Sequence, residues 1–346
     1  MHPISEKLIT WYKKNKRDLP WRNINDPYKI WLSEIILQQT QVVQGLNYYV
    51  KFIETFPTVI DLANAPEDKV MRLWQGLGYY SRARNLHATS KTIKVNHKGK
   101  FPNTYEAIKE LKGVGDYTAA AISSFAYGLP HAVVDGNVYR VLSRLFNIET
   151  AINSTKGKKD FQLLADELLN KKQPALHNSA IMEFGALCCK PQNPKCEECP
   201  LQENCLAFAN DTVSLLPVKD KKIKIKNRYL HYFVLNYKND VYIQKRTEKD
   251  IWQNLYEFYL IETAQSSSDT ELLKNKTLKS IVENFEVTSI VAAKKHILSH
   301  QILFATFYEL TIKAPIKSKS LIKIKRANLN NFGLPQLINK YLNSFE

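Results

Sequence analysis

Apolar residues recur at helical spacing through most of the first two thirds of the chain, and proline-bearing stops cut the pattern into segments. The stops are Asn25-Asp26-Pro27, Phe56-Pro57-Thr58 and Phe101-Pro102-Asn103. This predicts a mainly helical region that runs to about Pro217. A charge-rich run at 219–228 reads as a linker that also suits phosphate contact. Beyond it the texture changes. Residues 229–237, 241–245, 255–262 and 302–312 are rich in β-branched and aromatic side chains and predict strands. Residues 270–285 predict a helix, and 334–341 a closing helix with Pro335 in its first turn. The expected architecture is a mainly α domain at 1–217, a basic linker at 218–228 and an α+β domain at 229–346. No internal repeat is present, and no low-complexity stretch exceeds the turn at Ser266, Ser267 and Ser268.

Composition adds a partner. At 346 residues the chain exceeds one ordinary core, and 44% hydrophobic content is globular. A formal net charge of +16 would draw the protein to a polyanion, of which nucleic acid is the commonest. An anionic membrane surface is the rival, but no long apolar run or basic amphipathic anchor supports it. The N-terminal residues carry no apolar signal core. A reducing, cytoplasmic location is therefore expected, where clustered cysteines bind metal rather than pair.

Cys189, Cys196, Cys199 and Cys205 are spaced C-x6-C-x2-C-x5-C. Thiolates select zinc or an iron–sulfur cluster. Structural zinc sites usually use two short C-x2-C-like pairs, and here there is one, so the spacing favours a compact cubane cluster. Zinc, or four ordinary core cysteines, are the alternatives. Cys188 fits the spacing less well and reads as a small buried apolar residue.

Two carboxylates stand out. Glu34 lies within a helix, begun by Asp26-Pro27, that is apolar on nearly every face. Burial should raise its pKa and make it a proton donor near neutral pH, unless a nearby Arg or Lys pairs with it. Asp135 stands between an apolar stretch and a helix, which by itself describes an N-cap. Backbone N–H groups would also hold it rigid and ionised, suited to stabilising positive charge. One protonated and one ionised carboxylate are the usual equipment for breaking a glycosidic bond. Gly113 and Gly115 precede a helix of small residues. They allow an ordinary turn, or a hairpin that presents a helix N-terminus to a phosphate.

These segments together resemble MutY-type adenine DNA glycosylases, helix-hairpin-helix enzymes with a 4Fe–4S cluster. The residues are Trp31-Leu-Ser-Glu-Ile-Ile-Leu-Gln-Gln-Thr40, Gly76-Leu-Gly-Tyr-Tyr-Ser-Arg82, Leu111-Lys-Gly-Val-Gly115, Val134-Asp-Gly-Asn137 and the cysteine loop 189–205. The resemblance implies a helix-hairpin-helix domain with the cluster on Cys189, Cys196, Cys199 and Cys205. It implies excision of adenine mispaired with 8-oxoguanine or guanine in double-stranded DNA, by a monomer. Glu34 matches the acid that protonates adenine N7, Asp135 the carboxylate that stabilises the oxocarbenium ion, and Asn137 its orienting neighbour. Gln39 and Tyr79 resemble residues that wedge into the base stack, which offsets part of the stacking lost when a base leaves the duplex.

Two positions refine this. Related endonuclease III glycosylases, which also cut the strand, carry Lys where this chain has Tyr117. A lysine there forms a Schiff base with the sugar, and a phenol does not. Base excision without strong strand cleavage is expected. The second domain resembles the MutT/Nudix-like recognition domain of the same family, without the Glu-rich run that holds magnesium on a diphosphate. Lys295-His-Ile-Leu-Ser-His300 matches the loop that reads 8-oxoguanine, with Leu298 where the family usually has Phe and with Ser299 and His300 as hydrogen-bond partners. The rival readings are an endonuclease III-like enzyme for oxidised pyrimidines and a non-catalytic, cluster-bearing DNA-binding or redox protein.

Overall fold

Asp26 caps the helix Pro27–Leu37, accepting from the N–H groups of Tyr28 and Lys29, with Pro27 in the first turn. Both residues suit the orphan donors and fixed φ of a helix start. Every residue from Ile30 to Ile36 in this helix is buried, which is what its near-continuous apolar pattern requires. The computed structural model describes residues 2–220, 225–292 and 295–345. The middle of the expected linker, 221–224, and two residues before the 295–300 loop lie outside the described residues. The chain forms two compact units: Met1–Ala63 with Ala88–Lys221, and Asn64–His87 with Lys222–Glu346.

The first unit is helical. Helix Pro3–Asn15 packs on helix Pro174–Leu187, which also packs on helix Gly136–Leu145, while Pro27–Leu37 packs on Asp116–Tyr127. Leu8, Leu142, Phe161, Ala180 and Phe184 sit at the centre of the shared core. Fully burying each larger side chain contributes about 1.5–3 kcal/mol. Cys188 is buried in this core, as expected of a small apolar residue.

The second unit carries a mixed sheet. Its strands are β1 (Lys226–Tyr237), β2 (Asp240–Lys245), β3 (Tyr256–Glu257), β4 (Tyr259–Thr263), β5 (Phe285–Ala292), β6 (His296–Ile297), β7 (Gln301–Ile312) and β8 (Ile322–Lys325). The main order is β3-β2-β1-β7-β5, with β4 on β1, β6 on β7 and β8 on β2. β1 and β7 run parallel from Lys226↔Gln301 to Asn236↔Thr311, and the other pairs are antiparallel. Phe307 stacks on Tyr341 with centroids 3.8 Å apart, which ties the closing helix Gln336–Leu342 to the sheet.

Three expectations fail in detail. The helix at 270–285 is two short helices, Asp269–Leu273 and Lys276–Ile281, because the Asn275 side chain caps a new start by accepting from Thr277 N–H. Phe285 already opens an edge strand. The strand at 255–262 is interrupted at Phe258. Pro335 is the N-cap of the closing helix rather than a residue of its first turn.

Candidate active site

Glu34, Tyr117, Asp135 and Asn137 line one cavity of about 470 Å³ in the first unit, together with Arg17, Trp21, Arg22, Gln38, Gln39 and Glu183. Glu34 is 6% exposed. Tyr117 Oη donates to its Oε2 at 2.6 Å. Burial raises the Glu34 pKa, and the phenol and the charge of Arg22 offset this only in part; the nearby Asp135 raises it further. A pairing with Arg or Lys therefore gives way to a phenol contact. Burial, the charges of Glu34 and Asp135 and the hydrogen bond to Glu34 push the Tyr117 pKa well up, so Tyr117 remains a neutral donor.

Asp135 caps helix Gly136–Leu145 and accepts three N–H bonds: from Asn137 N at 2.9 Å, Val138 N at 2.8 Å and Asn137 Nδ2 at 2.7 Å. The expected rigid cap is present. Burial nonetheless lifts its carboxyl above the usual aspartate value, against the pull of these donors. The two carboxylates thus differ less in the direction of their shift than in their donors, one phenol against three N–H groups.

The supports of this site come from distant sequence. Asn178, 1% exposed, accepts from Val133 N–H and donates to Ser124 Oγ and the His131 carbonyl, fixing the segment that leads to Asp135. Asn137 Oδ1 accepts from Arg140 Nη2, which also donates to the Gly185 carbonyl. A Cβ on Gly185 would come within 2.7 Å of the Asn137 Cβ, so this helix contact needs glycine. Arg17 binds the buried Glu183 through Nε, Nη2 and its backbone N–H. Burial works against the Glu183 charge, but these bonds prevail and its pKa is lowered. None of these four positions, Arg140, Asn178, Glu183 or Gly185, carries a local motif.

Gly113 has φ +80°, a left-handed conformation that only glycine adopts without strain, and Gly115 caps helix Asp116–Tyr127 at an ordinary φ of −98°. The turn therefore requires glycine at 113 alone. Around Gly115 an added Cβ meets nothing within 4 Å, which leaves its backbone open to close approach.

Gln39 and Tyr79 share a rarer feature, positive φ of 58° and 48° at non-glycine residues. Such strain costs about 1–3 kcal/mol and clusters at ligand sites. Tyr79 lies in the second unit, where its hydroxyl hydrogen-bonds Ser299 Oγ. Gln39 lines the catalytic cavity, whereas Tyr79 and Ser299 line a cavity of about 450 Å³ with Leu77, Trp252, Leu298, His300 and Gln301. Ile297, which lines it too, is 64% exposed; its place in a two-residue strand gave no signal in the sequence.

Cys189, Cys196, Cys199 and Cys205 border one small cavity with Arg144 and Phe208. Arg144, 3% exposed, donates to Cys189 Sγ at 3.4 Å and to the carbonyls of Lys190, Pro191 and Leu216. Backbone N–H groups of Leu201, Ala207 and Phe208 face the sulfurs of Cys199 and Cys205. A buried guanidinium and N–H donors on sulfur fit an anionic cluster, whose levers are hydrogen bonding and burial. Among the described residues no three His, Cys, Asp or Glu side chains group as they would around one ion. A cluster with one thiolate per iron does not ask for that convergence.

Comparison with known proteins is consistent with this geometry. The model for the HhH-GPD superfamily base excision DNA repair protein matches residues 32–169, that for the iron-sulfur binding domain of endonuclease III residues 189–205, and that for the NUDIX domain residues 231–344. The chain is 36% identical to the adenine DNA glycosylase of Buchnera aphidicola subsp. Baizongia pistaciae, over 97% of this chain and 95% of that protein. It is 43% identical to the human adenine DNA glycosylase over 58% of this chain and 38% of that one. A thermostable thymine-DNA glycosylase structure superposes with a TM-score of 0.56 at 30% identity, covering 60% of this chain and 95% of that one. The cysteine loop is thus an iron–sulfur site. No helix among the described residues is long and apolar enough to cross a membrane.

Proposed function

The chain belongs to the adenine DNA glycosylase family, and from that premise we propose that it removes adenine mispaired with 8-oxoguanine or guanine in duplex DNA, without strong strand cleavage. Glu34, whose pKa burial raises, donates its proton to adenine N7. The C1′–N9 bond then breaks and its electron pair leaves with the base. Asp135, fixed by its three donors, stabilises the oxocarbenium ion through an adduct at C1′ that water opens. Asn137 orients Asp135 as both backbone and side-chain donor.

Gln39 and Tyr79 wedge into the stack, and Ser299, His300 and Leu298 read the oxidised base. Gly113 and Gly115 carry the DNA backbone past the helix N-terminus. The functional division is a glycosylase domain at 1–217 and a recognition domain at 229–346, in a cytoplasmic monomer; of the linker expected at 218–228, Lys226 to Arg228 already belong to strand β1, and Asn64–His87 of the first domain pack in the second compact unit. Cys189, Cys196, Cys199 and Cys205 hold the cluster. The group they would hold would supply a cross-link for the 189–205 loop, with Arg144 donating to the Cys189 sulfur as the cation beside it.

One observation carries this reading: a phenol at position 117 donates to a buried acid in the same cavity as Asp135. It also speaks against the endonuclease III-like alternative, because a neutral phenol offers no amine to the sugar. The test is single-turnover adenine release opposite 8-oxoguanine, guanine and thymine, read with and without alkali. Release opposite 8-oxoguanine that becomes a strand break only after alkali supports the reading. Rapid nicking without alkali, with covalent trapping by borohydride, would sink it.

A further inference from the structure

The basic run from Lys13 to Arg17 is sorted by the fold into two destinations. Arg17 turns to Glu183 and the catalytic cavity. Lys13 and Lys16, three residues apart, instead line a separate cavity of about 350 Å³ in the first unit. Arg22 completes its charge, while Tyr12, Trp21 and Phe125 contribute aromatic walls.

No carboxylate lines this cavity. Neither lysine pairs with one among the described residues; Lys16 Nζ lies 5.8 Å from the Tyr12 ring centroid. The Arg22 guanidinium stacks over Phe125 at 5.5 Å and makes one long hydrogen bond, 3.3 Å, to Ser179 Oγ. Arg22 also acts on Glu34 and Glu183, but among the described residues the two lysines have no such counter-charge; their like charges repel one another, and an anion there relieves that repulsion. A basic last helical turn does suit a helix C-terminus, and Lys13 and Lys14 lie there in helix Pro3–Asn15. That role does not explain Lys16, which lies beyond the helix, and Arg22, whose charge also acts on Glu34 and Glu183, lines this cavity as well.

We propose that this cavity is a phosphate-binding site, with Lys13, Lys16 and Arg22 as its cationic ligands. Its position shares the Trp21–Arg22 wall with the catalytic cavity. A phosphate of the DNA backbone and a free phosphate satisfy the same chemistry. Only the first source rests on the glycosylase reading.

The test uses the full-length protein with its cluster, the double variant K13Q/K16Q, and K14Q as a control in the same helical turn but outside the cavity. Affinity for an undamaged duplex is measured against salt, and inorganic phosphate is titrated calorimetrically at constant ionic strength. If the site takes a backbone phosphate, K13Q/K16Q lowers the slope of log affinity on log salt by about 0.9, and K14Q does not. K13R/K16R should restore the slope. If it takes free phosphate, the wild type binds inorganic phosphate, K13Q/K16Q does not, and the slope stays put. The proposal is overturned if neither change appears, or if K14Q lowers the slope as much as the pair does, since the lysines then contribute only a diffuse field. A wild type that binds no duplex would count against the glycosylase reading, while the phosphate titration would still decide the site.

Discussion

The catalytic cavity and the cavity beside Tyr79 are nearly equal in size, about 470 and 450 Å³, yet they are furnished with different chemistry. The first gathers Glu34, Asp135 and Glu183 with Arg17 and Arg22, and its carboxyls are buried or half-buried and tied by hydrogen bonds. The second is walled by Leu77, Ile297 and Leu298, with the Ser299 hydroxyl and the strained Tyr79 at its edge. Its acid, Asp250, is already held by Arg228 and Arg246. Groups that move protons need burial to tune them, whereas groups that read a base need reach and shape. On the proposed function the first cavity carries the chemistry and the second the discrimination, and each role can be broken separately.

The largest effect should follow from E34Q. Loss of a positioned general acid costs about 10²–10⁴-fold in rate. Adenine release should fall by that factor opposite 8-oxoguanine and guanine alike, in single-turnover measurements. An E34Q enzyme that kept its rate, or that lost it opposite only one partner base, would dissolve the division between the cavities.

The parts of this design differ in how much of them the sequence discloses. Glu34, Asp135 and the four cysteines were legible because each stands in a local contrast: a carboxylate among isoleucines, an aspartate before a helix, thiols at close spacing. The contact between Tyr117 and Glu34 spans 83 residues and leaves no local trace. Asn178, Arg140 and Gly185 look like ordinary helix residues until the helices pack. Strand β5 was hidden for another reason. It is a sheet edge in which Glu286, Val287, Thr288 and Ile290 are exposed, so its residues carry little period-2 contrast. The lift in the Asp135 pKa was not legible, because donor count is readable from a cap motif while the depth of burial is not.

A smaller effect should come from G185A. The new methyl would meet the Asn137 Cβ at 2.7 Å, and overpacking of this kind costs about 1–3 kcal/mol. The thermal midpoint should fall by about 2–4 °C per kcal/mol, and adenine release should slow because Asn137 orients Asp135. The 8-oxoguanine to guanine rate ratio should not change. Unaltered melting and activity would show that the helix contact yields freely.

Y117F probes the same cavity through pH. The phenol's hydrogen bond lowers the Glu34 pKa against the larger upward push of burial. Removing it leaves that pKa higher still, so the protonated acid persists to higher pH. The alkaline limb of the rate profile should therefore move toward higher pH, without any gain in borohydride trapping. A limb that moved the other way would mean that Tyr117 stabilises the protonated acid instead.

The smallest effect should come from the second cavity and should be confined to one substrate. S299A removes a hydroxyl that meets both Tyr79 and the space where the oxidised base is proposed to lie. A single hydrogen bond of about 0.5–1.5 kcal/mol corresponds to roughly 2–12-fold, here expected in adenine release opposite 8-oxoguanine and not opposite guanine. L298F should add less than a ring at this place would suggest, because the exposed Ile297 already offers apolar surface to the same cavity. Equal slowing of both substrates by S299A would mean that Ser299 acts through Tyr79 and the wedge rather than by reading the base. A large gain opposite 8-oxoguanine from L298F would show that Ile297 does not stand in for the missing ring.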